Sequence, residues 1–375
     1  MTVVFLIIAA VYICFTITLL YFWFEIIPFS PKIIVDEKLL KLSVVIPVRN
    51  EEVNIIDLLR DLEAQTYPIQ LFEILVIDDA STDNTANLVS NYASNSIYNI
   101  KLISLDAIAN ISSKKQAITL AISQAIGDWI VATDGDCRVG TKWLETIVNF
   151  QLHTQARFIF GGVSFYNERS VFEHLQTVEF AALTGSGAAS LQGQFPNMCN
   201  GANLAYEKKI FELVNGFQGN SHIPSGDDEF LMHKIFSRNP SDVKFLKSKE
   251  ATVYTSAKTN WKDFFNQRKR WAGKWPHYQL PYIKWIATLI LVGNVNFIVW
   301  LLACVLLGSN WKLFVICFVV KSFADAMFIK QILFWYDKKF IWKYFIITAV
   351  FYPFYVSFFA LNSKSVKYEW KGRKL

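Results

Sequence analysis

The chain has 375 residues, of which 53% are hydrophobic and 16% are aromatic. It is too long for one small domain and too apolar for an ordinary soluble protein, so we expect a membrane portion. The net charge of +6 is modest, and the basic residues form no aromatic-interleaved patch. This argues against a nucleic-acid partner and favours attraction to anionic lipid headgroups.

The first segment of the chain is apolar. Residues 1–24 contain no charged side chain and are long enough to cross a hydrocarbon core of ~30 Å as a helix. No basic segment precedes them and no small-residue cleavage site follows, which favours an uncleaved membrane anchor over a signal peptide. Pro28 and Pro31, among mixed charges, then predict a linker over residues 25–41.

Residues 42–281 are predicted to form one α/β domain. Buried-strand patterns occur at residues 42–47, 73–77, 100–104 and 129–132, and segments with helical spacing of apolar residues lie between them. This alternation predicts a doubly wound, Rossmann-like and mostly parallel sheet with polar groups at one edge.

The second half of this domain is less regular. A strand is predicted at residues 158–160 and a helix at 229–236. The segment at 185–193 is rich in Gly, Ala and Ser and partly matches a dinucleotide fingerprint, but no strand precedes it. We therefore interpret this segment as a tight turn or a close helix contact.

Two carboxylates one residue apart, Asp134 and Asp136, follow the strand predicted at 129–132. Open α/β sheets bind their ligands at the carboxyl ends of strands. Hard cations such as Mg²⁺ or Mn²⁺ take carboxylate oxygens and keep open positions for substrate phosphates, so one or two carboxylates suffice. The pattern predicts a divalent cation held by Asp136 with help from Asp134.

Five short polar elements follow one another in a fixed order. They are Asp78-Asp79-Ala80-Ser81, Lys114, Asp134-Gly135-Asp136, Gly226-Asp227-Asp228-Glu229 and Gln267-Arg268-Lys269-Arg270-Trp271. Together they resemble the family 2 glycosyltransferases, in particular the membrane-embedded branch with cellulose, chitin and hyaluronan synthases and ceramide glucosyltransferase. The most specific element is the Gln-x-x-Arg-Trp string. The resemblance covers about residues 42–275 and implies the GT-A fold.

The resemblance also implies roles for these residues. The donor would be a nucleoside-diphosphate sugar, whose departing pyrophosphate gains negative charge and needs positive groups around it. Gln267 and Arg270 would hold the phosphates, and Trp271 would offer an aromatic face to the acceptor sugar. The other expected donor contacts are Pro47, Arg49, Glu51, Asp78, Asp79, Lys114 and Asp134.

The acceptor hydroxyl needs a general base, which the resemblance places in the pair Asp227 and Asp228. An alignment of Gly226 to Leu231 on a Gly-Asp-Asp-x-x-Leu pattern makes Asp228 the base. An alignment on Glu-Asp-x-Asp-Leu forms makes Asp227 the base instead. We favour Asp228, and direct attack by the acceptor at C1 implies inversion there.

Several of these residues also have a purely structural interpretation. Asp78 and Ser81 could form an Asx turn that caps a helix, and the acidic residues 227–229 suit a helix N-terminus. A solvated or membrane-interfacial position is the corresponding alternative for Lys114 and Trp271, and the expected one for Arg268 and Lys269.

Residues 282–375 are expected to form a C-terminal membrane region with two or three helices and a basic tail. Residues 285–311 and 344–363 are uncharged and predict spans. The apolar segment at 313–335 contains Lys321 and Asp325, which could pair at i,i+4 spacing inside a span. We favour an interfacial or re-entrant helix for this segment.

The sequence thus predicts a metal-dependent, inverting glycosyltransferase that is integral to the inner membrane. Because nucleotide sugars are cytosolic, the catalytic domain is expected on the cytoplasmic side. The donor is expected to be a uridine diphosphate sugar, and the acceptor a growing saccharide or a lipid-linked acceptor. The alternatives are transfer of a single sugar to a lipid and a catalytically silent protein that binds a nucleotide sugar.

Overall fold

The computed structural model describes residues 1–31, 39–105, 114–221, 223, 225–362, 369–371 and 373–374. Part of the predicted linker and part of the basic tail lie outside the described residues. The chain divides into two compact units. The α/β unit comprises Ile27–Asn167 and Met198–Ser256, and the helical unit comprises Met1–Ile26, Glu168–Asn197 and Ala257–Leu375.

The helices of the two units alternate along the chain. In chain order they are α1 (Thr2–Glu25), α2 (Ile55–Glu63), α3 (Thr85–Asn95), α4 (Lys114–Gln124), α5 (Trp143–Thr154), α6 (Val171–Gln192), α7 (Lys208–Leu213), α8 (Glu229–Arg238), α9 (Trp261–Ala272), α10 (Pro281–Leu307), α11 (Trp311–Trp335) and α12 (Trp342–Asn362). The helical unit thus contains α1, α6 and α9 to α12.

The strands lie mainly in the α/β unit. They are β1 (Leu42–Val48), β2 (Phe72–Asp78), β3 (Ile100–Ser104), β4 (Trp129–Ala132), β5 (Phe158–Gly161), β6 (Val163–Phe165), β7 (Leu204–Glu207), β8 (Val243–Leu246) and β9 (Val253–Thr255), followed in the helical unit by β10 (Glu369–Trp370) and β11 (Arg373–Lys374). Within the described residues, seven strands form one sheet in the order β3-β2-β1-β4-β7-β5-β8.

The sheet of the α/β unit is mostly parallel, as the sequence predicts. Strands β3, β2, β1 and β4 are parallel neighbours, and β5 pairs in parallel with β8. Strand β7 is the exception, because it runs antiparallel between β4 and β5. The strands and helices predicted for residues 42–132, 158–160 and 229–236 are all present, and the predicted α/β fold with a mostly parallel sheet is confirmed.

Helix α2 illustrates how the sheet is covered. Its apolar residues Ile55, Leu58, Leu59 and Leu62 recur at helical spacing, and all four are fully buried. Burying a side chain of this size contributes about 1.5–3 kcal/mol. The face of α2 that the sequence pattern marks as apolar is therefore the face that holds the helix in place beside the first loop.

The Gly/Ala/Ser-rich segment at 185–193 lies inside α6 and its C-cap, so the prediction of a tight turn is wrong. The alternative of a close helix contact is correct. A Cβ placed on Gly185 would come within 2.0 Å of Cδ1 of Ile332, so α6 and α11 approach each other through a glycine.

Helix α11 buries the charged pair that its sequence contains. Lys321 is only 1% exposed, and its Nζ lies 2.9 Å from Oδ2 of Asp325, to which Thr16 of α1 donates a hydrogen bond of 3.4 Å. The helix is continuous over 25 residues, and its buried charged pair faces neighbouring helices. The interfacial or re-entrant placement of this helix that we favoured stays a prediction.

Among the described residues, three helices are long and apolar enough to cross a membrane, namely α1, α10 and α12. All three belong to the helical unit, together with α6 and α9. The domain boundary at residue 281 stays a prediction, and so does the number of crossings.

Candidate active site

The loops after β1 and β2 are tied to each other at the carboxyl edge of the sheet. The two strands pair so that Val48 lies opposite Asp78. Beyond them, the buried guanidinium of Arg49 donates from one nitrogen to the carbonyl oxygens of Asp79 and Ala80, at 2.5 and 2.6 Å. Arg49, predicted as a donor contact, thus also fixes the shape of both loops.

Asp78 forms the turn that its structural interpretation predicts. Its carboxylate accepts hydrogen bonds from the backbone N–H of Ser81, at 3.2 and 3.3 Å, and from the Ser81 hydroxyl. Asn84, not Asp78, occupies the N-cap of the following helix α3. The side chain of Asp78 therefore shapes the loop, while the buried Asp79 begins it. Their contacts to a donor stay predictions.

Lys114 joins two of the predicted acidic motifs. It is the first residue of α4, and its Nζ donates to Oδ1 of Asp134 at 2.7 Å and lies 3.2 Å from Oδ2 of Asp227. Burial opposes its charge, but the carboxylates of Asp134, Asp227 and Asp228 outweigh burial and raise the pKa of Lys114. The side chain is 18% exposed, so the solvated alternative for Lys114 is wrong.

The glycine between the two carboxylates of the cation motif has a packing role. A Cβ on Gly135 would lie 2.8 Å from Cγ1 of Val48 and 3.1 Å from Cγ of Glu51. Only a residue without a side chain lets the segment from Asp134 to Asp136 approach the first loop this closely. The predicted donor contact Glu51 is placed next to this segment in the same way.

Asp227 and Asp228 lie at the start of α8 but differ in their partners. Oδ1 of Asp228 accepts from the backbone N–H of Glu229 at 2.8 Å, which caps the helix, and Oδ2 accepts from the N–H of Gly201 at 2.9 Å. Asp227 instead faces the ammonium of Lys114. Asp228 is thus held by backbone groups and Asp227 by a charge.

A cleft in the α/β unit is lined by three of the predicted site residues, Pro47, Lys114 and Asp227. Its lining includes Pro47 from β1, Lys114, Gly201 and Asp227, with the apolar residues Ile118, Ala132, Leu204 and Phe217. A Cβ on Gly201 would lie 3.5 Å from each of three charged atoms, namely Nζ of Lys114 and the Oδ2 atoms of Asp227 and Asp228. Gly201 therefore forms the wall of the cleft next to both carboxylates.

The Gln-x-x-Arg-Trp residues lie on one helix of the helical unit. Gln267, Arg270 and Trp271 are all on α9 and all partly exposed. The guanidinium of Arg268 lies over the ring of Trp271, 4.3 Å from the ring centre. The prediction that Gln267 and Arg270 hold the donor phosphates rests on the motif and stays a prediction.

Two models of glycosyltransferase families match the chain. "Glycosyl transferase family 2" matches residues 43–214, and "Glycosyl transferase family group 2" matches residues 129–361, which is more than half of the chain. The chain belongs to glycosyltransferase family 2. The family resemblance of its motifs is therefore confirmed.

Curated relatives of this family 2 glycosyltransferase come from archaea and bacteria. "Glycosyltransferase AglE" of Haloferax volcanii is 28% identical over 197 residues, covering 50% of this chain and 58% of that protein. "Poly(ribitol-phosphate) beta-glucosyltransferase" of Bacillus spizizenii is 30% identical over 216 residues, covering 57% and 31%. "Poly-beta-1,6-N-acetyl-D-glucosamine synthase" of Staphylococcus epidermidis is 24% identical over 200 residues, covering 52% and 47%. The alignments thus span only part of each relative.

A solved structure with a similar fold is that of a mannosyltransferase from Pyrobaculum calidifontis in complex with GDP-Man and Mn²⁺. It is 19% identical, has a TM-score of 0.59, and covers 92% of this chain and 97% of that one. At this identity the likeness establishes the GT-A fold alone. The membrane-embedded synthase branch, which we also predicted, is not distinguished by these comparisons.

The predicted cation-binding residues of this family 2 glycosyltransferase, Asp134 and Asp136, have the ligand chemistry that suits a hard divalent ion. Asp136 is partly exposed, and the thiol of Cys137 contacts its Oδ1 at 4.0 Å. Among the described residues, no three His, Cys, Asp or Glu side chains come together as a ready-made metal cage. One or two carboxylates suit Mg²⁺ or Mn²⁺, because these ions take their other ligands from phosphates and water. Asp134 pairs with Lys114, and the binding of a cation by Asp136 with help from Asp134 stays a prediction.

Two residues that contact predicted site residues, Gly201 and Arg268, were not themselves predicted as site residues. Gly201 lies in the string Asn200-Gly201-Ala202-Asn203, whose likeness to the family could have indicated it. Arg268 was expected on the surface, but it is only 3% exposed, so that prediction is wrong. Its partner Glu179 lies far away in the sequence, and no local pattern indicates the pair.

Proposed function

We propose that this family 2 glycosyltransferase transfers a sugar, with inversion at C1, from a nucleoside-diphosphate donor to a growing saccharide or lipid-linked acceptor. The catalytic unit would act at the cytoplasmic face of a membrane. The observation that carries the proposal is the position of Lys114, whose ammonium binds Asp134 of the cation motif and Asp227 of the base motif. In this proposal, Lys114 links the motif for the cation to the motif for the general base.

The donor side of the cleft would bind the pyrophosphate. Asp136, with Asp134, would hold a divalent cation, which when bound supplies positive charge to the departing phosphate. Lys114 adds a second positive group, and its raised pKa keeps it charged at neutral pH. Gln267 and Arg270 complete the donor contacts in this proposal on the strength of their motif.

We assign the general base to Asp228 and a different role to Asp227. Two backbone N–H groups fix the orientation of the Asp228 carboxylate. Each of its oxygens has a second lone pair for the acceptor hydroxyl. Asp227 is engaged by Lys114, so its charge positions the lysine. A base held in place in this way costs little reorganisation when the proton moves.

The names of two relatives support a polymeric acceptor. One is named as a synthase of poly-β-1,6-N-acetyl-D-glucosamine, and another as a transferase to poly(ribitol-phosphate). The three membrane-length helices of this chain support action at a bilayer. Transfer of one sugar to a lipid is the second candidate, because helices of membrane length also suit a lipid acceptor.

The decisive experiment measures donor binding before turnover. The purified chain in detergent is heated with a panel of UDP-sugars and GDP-sugars, each with Mn²⁺, Mg²⁺ or a chelator. A donor at 100 times its Kd should raise stability by about 2.7 kcal/mol, and only with the cation. Radiolabelled transfer with that donor should then yield a ladder of products for a polymerising enzyme and one product for a single transfer.

Two results would count against the proposal. If none of the nucleotide sugars protects the chain with either cation, the donor assignment fails. If a donor protects the chain but the label is never transferred to any saccharide or lipid acceptor, a silent binding protein replaces the enzyme proposed here.

A further inference from the structure

The Gln-x-x-Arg-Trp motif of the helical unit contains one residue of a buried charged cluster, Arg268. Arg268 is 3% exposed and binds Glu179 of α6 through two nitrogens. Its Nε lies 3.1 and 3.0 Å from the two carboxylate oxygens, and one terminal nitrogen lies 2.6 Å from Oε2. The hydroxyl of Tyr355, on α12, donates to the same carboxylate at 2.5 Å. Three helices therefore meet at one carboxylate.

The same arginine contacts two motif residues directly. Its second terminal nitrogen donates to Oε1 of Gln267 at 2.5 Å. Its guanidinium lies between the rings of Phe264 and Trp271, 4.5 and 4.3 Å from their centres. Arg268 thus fixes the amide of Gln267 and covers the ring of Trp271, while itself being held by Glu179.

We propose that Arg268 is a positioning residue for sugar transfer: anchored by Glu179 and Tyr355, it sets the orientation of α9 and thereby of Gln267, Arg270 and Trp271. The inference rests on the proposed function, in which those three residues serve the donor and acceptor. It also gives the membrane-length helix α12 a direct mechanical link to the motif helix through Tyr355.

The chemistry of the cluster explains why an arginine is needed. A planar guanidinium can bind a carboxylate with two parallel hydrogen bonds and still stack between aromatic rings, which a lysine ammonium cannot do. Burial opposes the charge of Arg268, yet the adjacent Glu179 raises the pKa of the arginine, so the guanidinium stays charged. Neighbouring Lys269 and Arg270 are both less buried than Arg268.

The first test compares two conservative variants with a matched control. Arg268→Lys keeps the charge but loses the fork, and Tyr355→Phe removes a single hydroxyl. Arg157→Lys, in the α/β unit, disturbs another arginine–glutamate pair with a 2.5 Å contact and no proposed role in the site. We expect transfer to fall about 10- to 100-fold in Arg268→Lys and less in Tyr355→Phe, since small misplacements have effects of this size. The control should transfer at the wild-type rate.

A second measurement does not depend on activity. Hydrogen exchange of the backbone amides of α9 should be faster in Arg268→Lys than in wild type, and unchanged in Arg157→Lys. If wild type transfers no sugar, the proposed function fails, but faster exchange still supports the anchor. If exchange in α9 is unchanged in Arg268→Lys, the anchor itself is refuted.

A third variant separates positioning from simple stability. Arg268→Met, Glu179→Leu and Tyr355→Phe together replace the cluster with apolar side chains, an exchange that often preserves or raises stability. We expect its melting temperature to recover to about that of wild type while transfer stays reduced at least tenfold. Transfer at the wild-type rate by this triple variant would show that the cluster only stabilises the fold, and would overturn the inference.

Discussion

Replacing Asp228 by asparagine tests the assignment of the general base most directly. The change keeps the size of the side chain and removes the negative charge. Loss of a positioned base lowers rates by about 10² to 10⁴, which corresponds to about 2.7–5.4 kcal/mol in the activation barrier. We therefore expect a fall of that size in the rate of transfer, with donor protection against thermal unfolding largely retained.

The same substitution also lowers the stability of the domain. Asparagine caps helices about as well as aspartate, so the hydrogen bond from the N–H of Glu229 should survive. The hydrogen bond from Gly201 to the second oxygen is lost, at about 1.5–3 kcal/mol for a bond to a charged group. The domain should remain folded at 25 °C with a lower melting temperature.

The assay is radiolabelled transfer, with Asn239→Ala as the control. Asn239 is the C-cap of the same helix α8 and caps the short 3-10 turn that follows, so its removal disturbs the other end of the helix. This control should lose stability but not rate. If Asp228→Asn retains more than a tenth of the wild-type rate while Asp227→Asn does not, the base is Asp227 and our assignment is wrong.

Three further predictions concern the cation, the loop packing and the buried pair. Asp136→Ala should abolish the cation-dependent part of donor protection, measured by thermal unfolding with and without Mn²⁺; equal protection in wild type and variant would remove Asp136 from the cation site. Gly135→Ala would place a Cβ 2.8 Å from a side chain of β1. This change should lower the free energy of unfolding by about 1–3 kcal/mol and should also weaken donor binding. By contrast, Gly127→Ala, whose Cβ would meet backbone at 2.5 Å, should cost more stability without a specific effect on donor affinity. Lys321→Met should destabilise the helical unit in detergent by about 3–5 kcal/mol, and adding Asp325→Leu should restore most of this loss, because the single change leaves a buried charge unpaired; no recovery in the double variant would contradict this reasoning.

Much of the fold could be predicted because local sequence determines it. The strand at 100–104 was predicted with the bounds of β3, and the buried face of α2 follows from the spacing of its leucines and isoleucines. The acidic motifs at 78–79 and 134–136 could be predicted as well, because each lies at the end of a strand. The antiparallel β7 could not, since a four-residue apolar strand has the same pattern in either direction.

The less predictable features depend on contacts between distant parts of the chain. Arg268 has two basic neighbours and resembles a surface charge, and only Glu179, 89 residues away, explains its burial. Lys114 likewise reaches Asp227 across more than 100 residues. Asp78 has both a functional and a structural interpretation in the sequence, and only the observed turn with Ser81 reveals how its oxygens are used.

The charge around Lys114 has a consequence for the order in which ligands arrive. Three carboxylates surround this one ammonium, so the cleft without substrate carries a surplus of negative charge. A bare nucleotide diphosphate is itself an anion and is repelled by such a surface. The chelate of nucleotide and cation carries less net charge, so the cleft should admit the donor and its cation as one complex, and free nucleotide alone should be a poor inhibitor.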